Sequence, residues 1–327
     1  MKNVAVSCFI AFILLATACR KDTALTIIGE TSFLPPISYP ADNTFSPERY
    51  ALGKTLFFDP RFSADGLVSC ASCHQPHVYF ADDKPVSPGS NDAAGTRNVP
   101  SLVNIAFHPY FTREGGVPSL EMHVLVPIQE HNEFNNNIVL IADLLNQDSL
   151  LRNMSLLAYN QEITPYTITR SLANFQRQLI SDNAPYDRAL RGQTQLTTAQ
   201  ERGRQLFFSS STGCVDCHGG FNFTDYQIVN NGLYSQYNDP GLARLTGLAA
   251  DSGKFKVPSL RNVAQTAPYM HDGSFASLEE VIDHYNSGGK PHPSKDNRIK
   301  PLNLSEQNKA DLIAFLESLT DDTFEMP

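Results

Sequence analysis

The chain has 327 residues, 41% of them hydrophobic and 18% charged, and a formal net charge of −9 at pH 7. Its length suits about two domains, and its composition excludes an intrinsically disordered protein. The acidic balance argues against nucleic-acid binding, which needs a basic face, and is compatible with a basic protein partner.

Residues 1–19 read as an export signal. Lys2 supplies the positive charge, and VAVSCFIAFILLATA supplies an apolar run too short for a membrane span. The run ends in LLATAC, which resembles a bacterial lipoprotein cleavage box and makes Cys19 the expected acylated residue. The protein is therefore expected to be exported, either periplasmic or membrane-anchored through Cys19, with a plain secreted form as the alternative. Residues 20–44 read as a Pro-containing tether.

A repeat follows. Ser46 caps a helix in SPERYALGKTLFFDPRF, and Thr197 or Thr198 starts another in TTAQERGRQLFFSSST. Both contain Gly-basic-x-Leu-Phe-Phe, at residues 53–58 and 203–208. A glycine inside a helix costs about 1 kcal/mol against alanine, so Gly53 and Gly203 predict close approach of another helix. CASCH (70–74) then matches CVDCH (214–218). VPSLVNIAFHPYF (99–111) matches VPSLRNVAQTAPYM (257–270), and REGGVPSLEMHVLVP matches HDGSFASLEEVIDHY. Each half closes with an amphipathic helix. The first starts at Thr164-Pro165 and aligns Ile168, Leu172, Phe175 and Leu179; the second follows an Asn303–Glu306 capping pair. SDNAPYDRALRGQTQLTT reads as the linker. Two all-α domains are expected, at 45–190 and 191–327.

Six cysteines are present: Cys8 and Cys19 fall in the leader, and Cys70, Cys73, Cys214 and Cys217 form the two CxxC pairs. Two thiols and a histidine could hold zinc, but a closed zinc site wants four ligands at another spacing. A redox CxxC expects a βαβ context that is absent here. The remaining chemistry is covalent haem c, with thioethers from each cysteine pair and iron ligated by the adjacent histidine. His74 and His218 are the expected proximal ligands, and the fold expected is two tandem class I cytochrome c-like domains.

The repeat also compares the distal sides. Pro127 follows Ser119 at the same distance as Tyr285 follows Ser277. Tyrosine can ligate iron and proline cannot, which predicts an open first haem and a six-coordinate second one, with Met270 as the alternative ligand. An open haem that activates an oxygen species needs a carboxylic acid for proton transfer. Glu133 is the candidate, with Glu130 and Glu121 as competitors.

These stretches, from YALGKTLFFDPRFSADGLVSCASCH through GTRNVPSLVN and LANFQRQLISDNAPYDRAL to VPSLRNVAQTAPYMHDGSFASLEEVIDHYNSGG, resemble the bacterial di-haem cytochrome c peroxidase and MauG family. The resemblance implies that peroxide binds at the N-terminal haem, held by Cys70, Cys73 and His74. The C-terminal haem, held by Cys214, Cys217 and His218, delivers or stores an electron. It implies Glu133 as the distal acid–base, Tyr285 at the second distal position, and a calcium ion bound by Asn98, Thr266 and the Pro268 carbonyl. Three positions depart from the family pattern. Ser90 replaces a capping histidine, with His77 nearby in sequence, and Arg113 replaces a tryptophan between the haems. His123 stands where glutamine is frequent, and could assist Glu133 or bind the iron. The expected activity is reduction of hydrogen peroxide to water with electrons from a small cytochrome c or cupredoxin-type protein. Alternatives are MauG-like oxidation of a partner protein and a plain di-haem electron carrier. A homodimer is the expected assembly.

Overall fold

Gly53 and Gly203 show how the two halves are built alike. A Cβ on Gly53 would lie 1.9 Å from the Ser171 carbonyl oxygen, and one on Gly203 would lie 1.8 Å from that of Asp311. Only glycine lets the helix pairs cross this closely. The computed structural model describes residues 34–324; the signal segment and Cys19 lie outside the described residues.

The first domain contains α1 (Pro47–Phe57), α2 (Cys70–Cys73), α3 (Leu120–His123), α4 (Leu125–Gln129), α5 (Ile138–Leu145), α6 (Ser149–Tyr159) and α7 (Pro165–Arg177). Then come α8 (Pro185–Leu190), α9 (Thr198–Phe207), α10 (Ala243–Thr246), α11 (Leu278–Ser287) and α12 (Glu306–Glu317). A two-residue antiparallel ribbon, β1 (Ile228–Val229) with β2 (Phe255–Lys256), interrupts the helical pattern. Ser46 caps α1 and Thr197 caps α9, as expected. Ser305, accepting from the Asn308 amide, caps α12. The expected Asn303 instead adopts a left-handed turn with φ of 56° two residues earlier.

α1 packs on α7, and α9 on α12. The predicted face of α7 is buried: Ile168, Phe175 and Leu179 are fully inaccessible and Leu172 nearly so. Phe57, Phe80 and Phe175 cluster in the first core, and Phe207, Phe223 and Phe315 in the second. Each aromatic trio closes the space between the crossed helices and the loop after a CxxCH motif.

The domains interlock beyond the expected boundaries. Tyr186 of α8 packs on Phe223 and Phe315 in the second core. The C-terminal tail returns to the first domain, where Phe324 stacks on Tyr79 and the Asp321 carbonyl accepts from the Tyr79 hydroxyl. Residues 39–44, read as tether, are docked: Asn43 is fully buried and donates to Glu121, while Asp42 pairs with Arg170. Asn104 and Asn262, equivalent in the repeat, both adopt left-handed φ near 60° and both bind Ser181 between the domains.

Candidate functional site

α2 presents Cys70 and Cys73, and His74 follows at its C-terminus. The His74 Nδ1 lies 2.9 Å from the Phe80 carbonyl. A carbonyl only accepts, so Nδ1 carries the proton and Nε2 keeps its lone pair for a metal. The second motif repeats this geometry: His218 Nδ1 lies 3.1 Å from the Phe223 carbonyl. All four cysteines are free thiols. Burial, then its neighbour Cys73, pushes the Cys70 thiol up to about 12, and burial pushes Cys217 to about 11. Neither pair therefore has the low-pKa thiolate of a redox CxxC. Among the described residues no three His, Cys, Asp or Glu converge as a metal cluster, so the zinc alternative lacks a ligand set. Paired thiols beside a histidine whose Nδ1 is held by a backbone carbonyl fit covalent haem c at both motifs.

On the first distal side the structure chooses among the carboxylates. Glu121 is buried and clamped by Arg177, with contacts of 2.6 and 3.0 Å, and by Asn43 at 2.7 Å. It is a structural ion pair, not a proton carrier. Glu130 is exposed. Glu133 adjoins the Cys70 and Cys73 thiols electrostatically and keeps solvent access. Crowding by protein, reinforced by Glu130 and opposed by Arg97, nevertheless pushes its carboxyl up to about 7. Its backbone carbonyl accepts from the Ser90 amide at 2.7 Å, which ties it to the Ser90 loop. Ser90 itself is buried, and its hydroxyl accepts from the Asp65 amide at 3.2 Å. His77 is exposed on the surface.

His123 ends α3 and stacks on Phe111, with ring centroids 5.6 Å apart. Burial first, then His74 and Lys256, push its imidazole down to about 4. His123 is thus neutral, and lies near His74. The break between α3 and α4 has a cause in Pro127, which lacks an amide for the His123 carbonyl and crowds it. The equivalent α11 has Tyr285 and runs unbroken.

On the second distal side both candidates converge. Asn231 donates to the Met270 sulfur at 3.3 Å and its side chain also hydrogen-bonds Tyr285. Burial pushes the Tyr285 hydroxyl up, and the nearby Cys217 and Cys214 add to this. Asn231 was invisible to the repeat comparison because it lies in a loop with no counterpart in the first domain.

Sequence reasoning also missed the junction between the two motifs. Lys256 Nζ lies 3.3 Å from His108 Nδ1 and donates to the Tyr110 carbonyl at 3.0 Å. The His108 ring meets Tyr226 edge-on at 5.1 Å. Arg97 pairs with Glu114 at 2.5 Å and across the domains with Asp239 at 2.6 Å. Arg113 donates to the Asn98 carbonyl at 2.6 Å. The Thr266 hydroxyl donates to its own Val263 carbonyl at 3.3 Å. Of the residues expected to bind calcium, Asn98 thus accepts from Arg113 and Thr266 bonds within its own turn. A signal was present for His108, a histidine where the second repeat has none, but its meaning depends on Lys256, far away in sequence.

A family model described as di-haem cytochrome c peroxidase matches residues 47–195, and one described as cytochrome c matches residues 200–320. The methylamine utilization protein MauG of Methylorubrum extorquens is 38% identical over 292 residues, 86% of this chain and 81% of that protein. Cytochrome-c peroxidase IdrP1 of Denitromonas iodatirespirans is 32% identical across 94% of this chain and 92% of its own. A solved MauG-like protein associated with microbial copper homeostasis superposes with a TM-score of 0.86 at 36% identity, covering 89% of this chain and 95% of that one. With two equivalent CxxCH sites, each with its histidine oriented by a backbone carbonyl, the chain belongs to the di-haem cytochrome c peroxidase and MauG family, whose two domains imply two haem c groups.

Proposed function

We propose that this protein reduces hydrogen peroxide to water at its N-terminal site, using two protons and two electrons from a small cytochrome c or cupredoxin-type donor. The observation that carries the reading is Glu133, a carboxyl held near pH 7 beside the first CxxCH motif. Haem bound there supplies the iron that takes up peroxide and passes it electrons. Cys70 and Cys73 would hold that haem covalently and His74 would ligate it; Cys214, Cys217 and His218 would do the same for the second.

Glu133 acts on protons. In its ionised form it accepts one from the incoming peroxide, and once neutral it returns that proton to the departing oxygen. A carboxyl that titrates near the working pH is suited to both steps. His123, neutral throughout this range and stacked on Phe111, is the further candidate to assist as a hydrogen-bonding group. Ser90 and Pro127 offer no nitrogen or sulfur to an iron, which supports a first site ready for peroxide without prior reduction. Tyr285 is assigned as the distal ligand of the second site, with Met270 as the alternative beside the same Asn231. The protein is placed outside the cytoplasm, anchored through Cys19; no helix among the described residues is long and apolar enough to cross a membrane.

The test is Glu133→Gln in the holoprotein. Peroxide turnover should fall by about 10²–10⁴ while both haem spectra persist. Undiminished turnover would remove Glu133 from the mechanism. A second reading, peroxide-dependent oxidation of a partner protein, is favoured by the buried Tyr285, since tyrosinate stabilises oxidised iron. A long-lived oxidised state after peroxide addition without donor would support it.

A further inference from the structure

Arg113 stands where the family pattern expects a tryptophan between the haems, and it reaches one of the residues expected to bind calcium. Its Nη2 donates to the Asn98 carbonyl at 2.6 Å and lies 3.4 Å from the Asn98 Oδ1. Both oxygens that Asn98 could offer a metal thus face a guanidinium. Asn98 itself is buried, and its own amide donates to the His271 carbonyl of the second domain at 2.9 Å.

We propose that the Arg113 guanidinium is the resident cation of this inter-domain junction, and that the protein assembles its two sites without calcium. Three further observations carry this. The acids facing Arg113 are Glu114, Asp239 and Asp272. Arg97 already pairs with Glu114 and Asp239, and Asp272 accepts from the Tyr234 hydroxyl at 2.6 Å. Most of the carboxylates around the junction are therefore already engaged, and a divalent ion binds best to free anionic oxygens. Lys256 adds a further positive charge nearby. A dication placed on Asn98 would sit within a few ångströms of a buried guanidinium, where repulsion is weakly screened.

The bridging work of a metal is also done here by hydrogen bonds. The Arg113 carbonyl accepts from the Lys256 amide of the second domain at 2.7 Å, while its side chain holds the Asn98 loop of the first. One residue therefore clamps both sides. Among the described residues its buried Nε has no hydrogen-bond partner.

The experiment uses the holoprotein, exposed to excess calcium and then desalted. Metal analysis should find calcium well below one ion per chain, and thermal unfolding should be the same in chelator and in excess calcium. One tightly held calcium per chain, or a fall in Tm or a Soret change on chelation, would overturn the proposal. Arg113→Gln removes the charge and frees the Asn98 oxygens. Saturating calcium should then raise the Tm of the variant by about 4 °C or more. A variant that keeps both haem spectra yet ignores calcium would show that Arg113 is not what fills the site. Should that variant not fold, the calcium content of the unaltered protein decides the question alone.

Discussion

The two domains share their proximal architecture and differ on their distal sides. Gly53 and Gly203 let equivalent helices cross, and Phe80 and Phe223 offer equivalent carbonyls to His74 and His218. Beyond these, Pro127 splits one helix and Glu133 in the following loop is exposed, whereas α11 runs intact and brings Tyr285 to Asn231. Holding a haem constrains one half of each domain tightly. The other half is free to diverge, which is what the proposed division into a reactive site and an electron-transfer site requires.

The largest expected effect tests that divergence. Beyond its loss of turnover, Glu133→Gln should change the pH profile. In the unaltered protein kcat/KM for peroxide should rise with pH through about 7, because only the ionised carboxyl accepts a proton. The variant should lose that inflection. An inflection that survives the substitution would assign the proton transfer to another group and break the comparison at its centre.

Next come the buried ion pairs, one associated with each core. Glu121 is clamped by Arg177 and Asp187 by Arg261, all nearly inaccessible. Glu121→Gln or Asp187→Asn leaves a guanidinium uncompensated and should cost about 3–5 kcal/mol in chemical denaturation. Similar losses would confirm that the pairs do equivalent structural work. A negligible loss for Glu121→Gln would return that carboxylate to the list of proton carriers.

The glycines should respond alike. Gly53→Ala and Gly203→Ala each force a methyl against a backbone carbonyl, with an expected cost of about 1–3 kcal/mol in thermal unfolding. A large difference between them would show that one crossing is looser than the shared geometry implies. The smallest effect is expected from His123→Gln. A neutral hydrogen-bonding group replaces another, so peroxide turnover should change about fivefold or less, in line with one net hydrogen bond. A loss as large as that of Glu133→Gln would make His123 a direct participant.

The sequence by itself determined the haem motifs, the repeat, the helix starts at Ser46, Thr164 and Thr197, and the buried face of α7. These are local: a CxxCH spacing, a cap or a 3.6-residue period is complete within one turn or one helix. Packing alone takes Glu121 out of contention among the three carboxylates, since Arg177 and Asn43, residues remote in the chain, engage it. Likewise, only packing set Arg113 against Asn98, Lys256 against His108, and Met270 and Tyr285 against one asparagine. The fate of a charged or polar side chain depends on the partners and burial it meets, and those come from segments that the linear order keeps apart.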